Sequence, residues 1–140
     1  MNNIVTFHKE SKDMGEFAKK YFDYLHRVFK SIDPSAFNQL EAEFQDARKN
    51  GNTIFIAGNG GSATTAATMA NDLGFDIIRK ANPEKHFRVL ALTDNASVMT
   101  AIANDTGYEN IFVNQLKVHY RPGDKLLVIS ASGNSPNVVH

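Results

Sequence analysis

Thr53-Ile54-Phe55-Ile56-Ala57-Gly58-Asn59-Gly60-Gly61-Ser62 is the stretch on which the fold turns. Its first five residues are a short, continuous apolar run rich in β-branched side chains, as expected of a parallel strand buried on both faces. A glycine- and serine-bearing loop follows at once, and Ala63 to Leu73 reads as a helix of small residues.

Toward the C-terminus the alternation continues. Asn82-Pro83 breaks the chain, and Arg88-Val89-Leu90-Ala91-Leu92 is a second strand. Ser97 to Asn104 and Ile111 to His119 read as helices, and Arg121-Pro122-Gly123-Asp124 as a turn. Lys125-Leu126-Leu127-Val128-Ile129 is a third buried strand. A second small, polar loop runs from Ser130 to Ser135, and Pro136 suits the first position of a helix capped by Ser135. Strands alternating with helices imply a parallel sheet wound by right-handed crossovers. The chain stops about one turn into that last helix, and three strands make a thin sheet. The expectation is therefore the front part of a longer domain, with Leu126 to Ile129 beside a further strand; the alternative is a partner chain that completes the sheet.

Toward the N-terminus, Phe17, Tyr21, Leu25, Val28 and Ile32 recur at steps of three and four and make one apolar stripe, widened by Phe22 and Phe29. Asp33-Pro34 reads as a helix start, Phe37, Leu40, Phe44 and Ala47 form a second stripe, and Asn50-Gly51 ends it. These stripes bury themselves on the domain's own sheet or in a subunit interface. The expected division is a helical segment over 1–52 and a sheet domain over 53–140.

The bulk numbers narrow the function classes. A length of 140 residues is that of one ordinary domain. Lys+Arg and Asp+Glu are both 15, so no long-range field draws the chain to nucleic acid or an anionic membrane. A local basic patch is not excluded, but no run of Lys or Arg announces one. The absence of cysteine excludes disulfides and thiolate zinc sites. No apolar stretch approaches the ~20 residues of a membrane span. The N-terminal ten residues are polar and mixed, unlike a signal peptide, so a cytoplasmic address is expected.

Ligands of open parallel sheets bind at the carboxyl ends of the strands, where both polar loops lie. A helix N-terminus presents free N–H groups and partial positive charge, glycine lets backbone approach a ligand, and serine adds hydroxyl donors without bulk. Ser130, Ser132 and Ser135 are spaced to turn hydroxyls and amides into one tight loop. A neutral protein can hold a phosphate dianion in this way. The bland reading of each loop is an ordinary strand-to-helix turn. Gly58-x-Gly60-x-x-Ala63 also fits a dinucleotide-binding pattern, with Asp94 as its acidic residue. That residue, however, stands about thirty positions after the loop instead of ~20, and the serine loop has no role in the scheme.

Gly58-Asn59-Gly60-Gly61-Ser62 taken together with Ser130-Ala131-Ser132-Gly133-Asn134-Ser135 resembles the sugar isomerase (SIS) domain family, and within it the phosphoheptose isomerases. Asn104-Asp105, Gly107-Tyr108, Ile111-Phe112 and the two leading helices extend the likeness over nearly the whole chain. The resemblance implies a three-layer, flavodoxin-like parallel sheet preceded by two helices, with its C-terminal part missing. It implies substrate contacts from Asn59, Gly60, Gly61 and Ser62, from Asn104 and Asp105, and from Ser130, Ala131, Ser132 and Ser135. It further implies interconversion of sedoheptulose 7-phosphate and D-glycero-D-manno-heptose 7-phosphate, by a homotetramer whose leading helices build the interface.

The family's catalytic Glu on the helix after the first loop corresponds to Asp72, and a zinc-binding His four residues earlier to Thr68. Thr65, Thr68 and Asp72 share one helix face. A carboxylate is kept one methylene shorter, but the imidazole is replaced by a poor zinc ligand, which weakens the expectation of zinc. The remaining Gln and His of the family pattern lie beyond this chain. Asp72 is thus a general base, part of a weakened metal site, or a solvated helix-face carboxylate. His8, His26, His86, His119 and His140 have no ligand spacing. The alternative function is a phosphosugar-binding protein without catalysis, as in family relatives that associate with the replication initiator.

Overall fold

A computed structural model describes residues 3–82 and 84–140, so the Pro83 half of the expected Asn82-Pro83 break lies outside it. The chain forms two compact units, one ending at Leu40 and one running from Glu41 to His140.

The first unit holds α1 (Asn3–Lys9), α2 (Met14–Ser31) and the start of α3 (Pro34–Asn50). Two leading helices are expected from the sequence, and a third, α1, precedes them. Its residues look merely polar in the sequence, but Phe7 and His8 are in its last turns. The Phe7 ring lies 5.6 Å from Tyr24 and the His8 ring 5.8 Å from Phe17. Asp13 caps α2 by accepting from the Glu16 amide at 2.8 Å, and the Glu16 carboxylate accepts from the Lys12 amide at 2.9 Å. This exchange satisfies two otherwise free donors, much as a capping box does. Pro34 opens α3 after Asp33, whose carboxylate accepts from the Ser35 amide and hydroxyl.

The second unit carries the sheet. Its elements are β1 (Thr53–Gly58), α4 (Gly61–Asn71), a wide π turn (Asp72–Asp76), α5 (Ile77–Ala81) and β2 (Arg88–Ala91). They continue with α6 (Ala96–Thr106), a 3-10 turn (Tyr108–Asn110), α7 (Val113–His119), β3 (Lys125–Ile129) and α8 (Pro136–Val139). All three strands are parallel, in the order β2-β1-β3. Every residue of β1 is buried. Ile54 and Ile56 pack on one face with Ala47 of α3, Ala66 of α4 and Val89. Phe55 and Ala57 pack on the other with Leu92, Ile111 and Phe112, backed by Met99 of α6 and Leu116 of α7. Alternation along one strand thus feeds two helical layers, the three-layer architecture expected from the sequence.

The element ends shift in ways the chemistry explains. The helix expected to end at Leu73 passes after Asn71 into the π turn. Asn95, whose side chain accepts from the Val98 amide at 3.1 Å, starts α6 one residue earlier than expected. Ile111 and Phe112, expected in a helix, belong to the link before α7 and are core residues. Asp124 accepts from the Thr53 amide at 2.7 Å and the Arg121 amide at 2.8 Å, tying the turn before β3 to the start of β1. Both outer strands are open edges among the described residues, with Leu90 54% and Leu126 50% exposed.

Candidate functional site

The chain leaves β1 toward β2 by way of α4, and it reaches β3 from β2 through α6 and α7 on the opposite face. The carboxyl ends of β1 and β3 therefore lie side by side where the winding reverses, the place where open α/β sheets bind ligands. A cavity of about 200 Å³ sits there, lined by Asn59, Ser62, Ile129, Ser130, Ala131, Ser132 and Ser135. The two loops singled out in the sequence thus meet. Asp94 of the dinucleotide pattern lines a different cavity, with Asn95 and His119.

Glycine is needed in the first loop for two separate reasons. A Cβ on Gly58 would stand 2.7 Å from the Ser62 Cβ and 2.9 Å from its backbone carbon and oxygen. Gly60 has φ 54° and ψ −121°, a conformation open to glycine alone. Strand and helix start are thereby pressed together. Gly60 stands at the N-cap of α4 without a side-chain cap; the Ser62 and Ala63 amides donate to the Asn59 and Gly60 carbonyls, which leaves the amides of Gly60 and Gly61 for a ligand. Gly61 has nothing within 4 Å of a notional Cβ, so its backbone is open to approach.

Asn59 is fixed by a reciprocal amide pair. Its Nδ2 donates to Asn137 Oδ1 and the Asn137 Nδ2 donates back to Asn59 Oδ1, both at 2.8 Å. The Tyr108 hydroxyl donates to the same Asn59 oxygen at 3.1 Å. Both lone pairs of Asn59 Oδ1 are taken, and one N–H remains to offer a ligand. Asn137 is 6% exposed, and with Tyr108 it holds the site from outside the residues singled out for it. Neither announces itself in sequence: Asn137 looks like a polar residue in a helix's first turn, and its partner is 78 positions away.

The serine loop is organised by its own hydroxyls. Ser130 Oγ accepts from the Gly133 amide at 3.0 Å and Ser132 Oγ from the Asn134 amide at 3.2 Å. Accepting leaves each hydroxyl proton to be donated outward. Among the described residues, nothing in the chain accepts from the amides of Ala131, Ser132 or Ser135. Ser135 is the N-cap residue of α8, but its hydroxyl makes no cap bond, contrary to expectation. Its carbonyl does the turning instead, accepting from the Val138 and Val139 amides. As α8 has four residues, attraction for an anion here rests on individual amides and hydroxyls and not on a macrodipole. No Lys or Arg lines the cavity.

Five expected site residues do not line this cavity: Gly60 and Gly61 stand in the loop between the lining residues Asn59 and Ser62, and the other three lie elsewhere. Asn104 and Asp105 are exposed in the last turn of α6 and bond to each other, Asn104 Nδ2 donating to Asp105 Oδ1 at 2.8 Å. Asp72 is exposed at the end of α4 and accepts from Asn71 Nδ2 at 3.1 Å. It opens the π turn, and its carbonyl accepts from the Ile77 amide. At a rise of about 1.5 Å per residue, Asp72 stands roughly 16 Å along the helix axis from Gly61. The zinc that the resemblance implies does not fit the residues present. Thr68 and Asp72 offer one neutral hydroxyl and one carboxylate, and no group of three or more His, Cys, Asp or Glu gathers among the described residues.

Known proteins resemble the chain in sequence and in fold. The SIS domain family profile matches residues 16–140. A phosphoheptose isomerase of Akkermansia muciniphila is 44% identical over 128 residues, which are 90% of this chain and 66% of that protein. A probable phosphoheptose isomerase of Thermoplasma acidophilum is 34% identical over 87% of this chain and 65% of its own length. The solved structure of phosphoheptose isomerase GmhA from Neisseria gonorrhoeae superposes with a TM-score of 0.79 at 30% identity, over 91% of this chain and 66% of that one. The chain thus spans just under two thirds of the length of these relatives. Cavity, winding and likeness agree, and the chain belongs to the SIS domain family.

Proposed function

We propose that the chain forms the phosphate-holding part of a phosphoheptose isomerase, which interconverts sedoheptulose 7-phosphate and D-glycero-D-manno-heptose 7-phosphate. The cavity between the Gly58–Ser62 and Ser130–Ser135 loops carries this reading. It gathers hydroxyl and amide donors with no cation, the chemistry that grips a phosphate ester. At about 200 Å³ it is smaller than a site for a whole ligand of drug size, so it suits the phosphate end and leaves the sugar outside.

The reaction moves a proton between adjacent carbons through an enediol. Asp72 is the carboxylate assigned to that step. A substrate anchored at the strand ends is shorter than the roughly 16 Å along α4 to the Asp72 of its own chain, so it meets the Asp72 of a second copy in a homotetramer. Ser130, Ser132, Ser135, Asn59 and the backbone of Gly60, Gly61 and Ala131 hold and orient; Asn104 and Asp105 belong to the sugar end. No step is assigned to zinc. We place the protein in the cytoplasm, where its sugar phosphate substrate is made. The test is to supply sedoheptulose 7-phosphate and follow aldose product, with and without zinc. Absence of turnover in both conditions removes the isomerase assignment.

The Thr68 hydroxyl and the Asn71–Asp72 contact favour a second reading, a phosphosugar-binding protein without catalysis. A rise in melting temperature with the sugar phosphate, together with no product, selects it.

A further inference from the structure

Another cavity, rimmed by basic residues, lies at the other end of β1, about 20 Å from the first along the strand. It is about 410 Å³ in volume, and its lining includes Arg48, Lys49, Lys85, His86 and Arg88 but no acidic residue. The cluster is invisible as a run in the sequence. Arg48 and Lys49 end α3, whereas the other three lie before and at the start of β2. The chain as a whole has zero formal charge, so this is a local excess and not the overflow of a basic protein.

Helix capping accounts for part of it. Basic residues are favoured in the last turn of a helix, and Lys85 Nζ donates to the Lys49 carbonyl at 2.7 Å. That leaves both guanidiniums and the Lys49 ammonium. None of the five is ion-paired among the described residues, whereas Lys20, Arg79, Lys80 and Lys125 are. Arg48 stacks 5.3 Å above the centroid of the Phe87 ring. A guanidinium held over a ring face keeps N–H donors to offer an anion, and Arg can take two oxygens at once.

We propose that this cavity binds a small, multiply charged phosphoanion of the polyphosphate or nucleoside polyphosphate class, at a site separate from the serine loop. Its volume is within the range of small-molecule sites. Arg48, Arg88 and Lys49 supply three positive charges not engaged elsewhere, more than one phosphate monoester neutralises. The donors converge on a concavity from two segments instead of forming the stripe that would follow an extended acidic chain.

The test is a calorimetric titration with sodium tripolyphosphate at fixed physiological salt. The Lys49→Gln, Arg88→Gln double variant is expected to bind at least about tenfold more weakly. The Ser130→Ala, Ser132→Ala variant is expected to keep the native affinity. Loss that follows the serine variant, or equal affinity in the double variant, overturns the proposal. So does displacement of tripolyphosphate by a shorter concentration range of oligoglutamate than of ATP, which would make the cavity a protein-docking surface. If the double variant does not fold, Mn²⁺-tripolyphosphate added to the native protein gives the reading. Line broadening at the Lys85–Arg88 amides supports the site, and broadening confined to Ser130–Ser135 refutes it.

Discussion

Replacing Gly58 with Ala tests the geometry on which the anion site depends. The new Cβ would meet the Ser62 backbone carbon and oxygen at 2.9 Å and its Cβ at 2.7 Å. Backbone atoms cannot rotate away as a side-chain tip can, so the clash belongs at the upper end of overpacking costs, about 3 kcal/mol. For a chain of 140 residues that corresponds to a fall in melting temperature of about 10 °C. Gly61→Ala is the control three residues on. Nothing lies within 4 Å of its notional Cβ, so the melting temperature is expected to stay within about 2 °C. Its new methyl stands where a ligand would approach, so affinity for inorganic phosphate is expected to fall several-fold. Scanning calorimetry of both variants, with and without phosphate, separates the two effects. A Gly58→Ala melting temperature within 2 °C of the native one would refute the argument that contact between strand end and helix start shapes the cavity.

Ser130→Ala and Ser132→Ala each remove a donor to a charged group, worth about 1.5–3 kcal/mol, so calorimetry should record at least about tenfold weaker binding of a sugar phosphate for either. Asp72→Asn is expected to abolish isomerisation while leaving that affinity unchanged; retained turnover would dismiss Asp72 as the base. Asn137→Ala breaks both bonds of the amide pair and strands the Asn59 amide, a cost of about 2 kcal/mol that thermal unfolding should register. Hydrogen bonds from Lys80 and then Arg79 hold the Asp76 carboxyl below its ordinary range. Such a group stabilises the fold above its unfolded pKa, and that contribution is lost as pH falls through the folded one. Asp76→Asn should therefore lower the melting temperature near neutral pH, with the gap closing below about pH 4.

The core of the fold is legible because β1 is buried on both faces and so reads as one unbroken apolar run from Thr53. The two loops are legible for a related reason: glycine and serine immediately after such runs have few uses other than tight turns and ligand contact. What escapes the sequence is whatever depends on long-range pairing. Asn137 reaches back 78 positions to Asn59, and its role follows from the winding that sets β1 beside β3. The basic cavity escapes for the same reason, as its two halves meet only because β2 starts beside the end of α3. Helix α1 escapes because its stability comes from aromatic contacts with α2 and not from a stripe of its own. Asp72 shows the limit in the other direction. Its place on a helix face is predictable from spacing, but the π turn it opens is not.

The two loops that meet over the sheet are mounted differently. The Gly58–Ser62 loop rises from the central strand, which is bonded on both sides and buried along its whole length. Among the described residues, the Ser130–Ser135 loop hangs from a strand bonded on one side only, with Leu126 half open to water. One jaw of the grip is rigid and the other compliant. Amide hydrogens in β1 should exchange with solvent more slowly than those in β3, and adjustment to ligands of different shape falls to the serines.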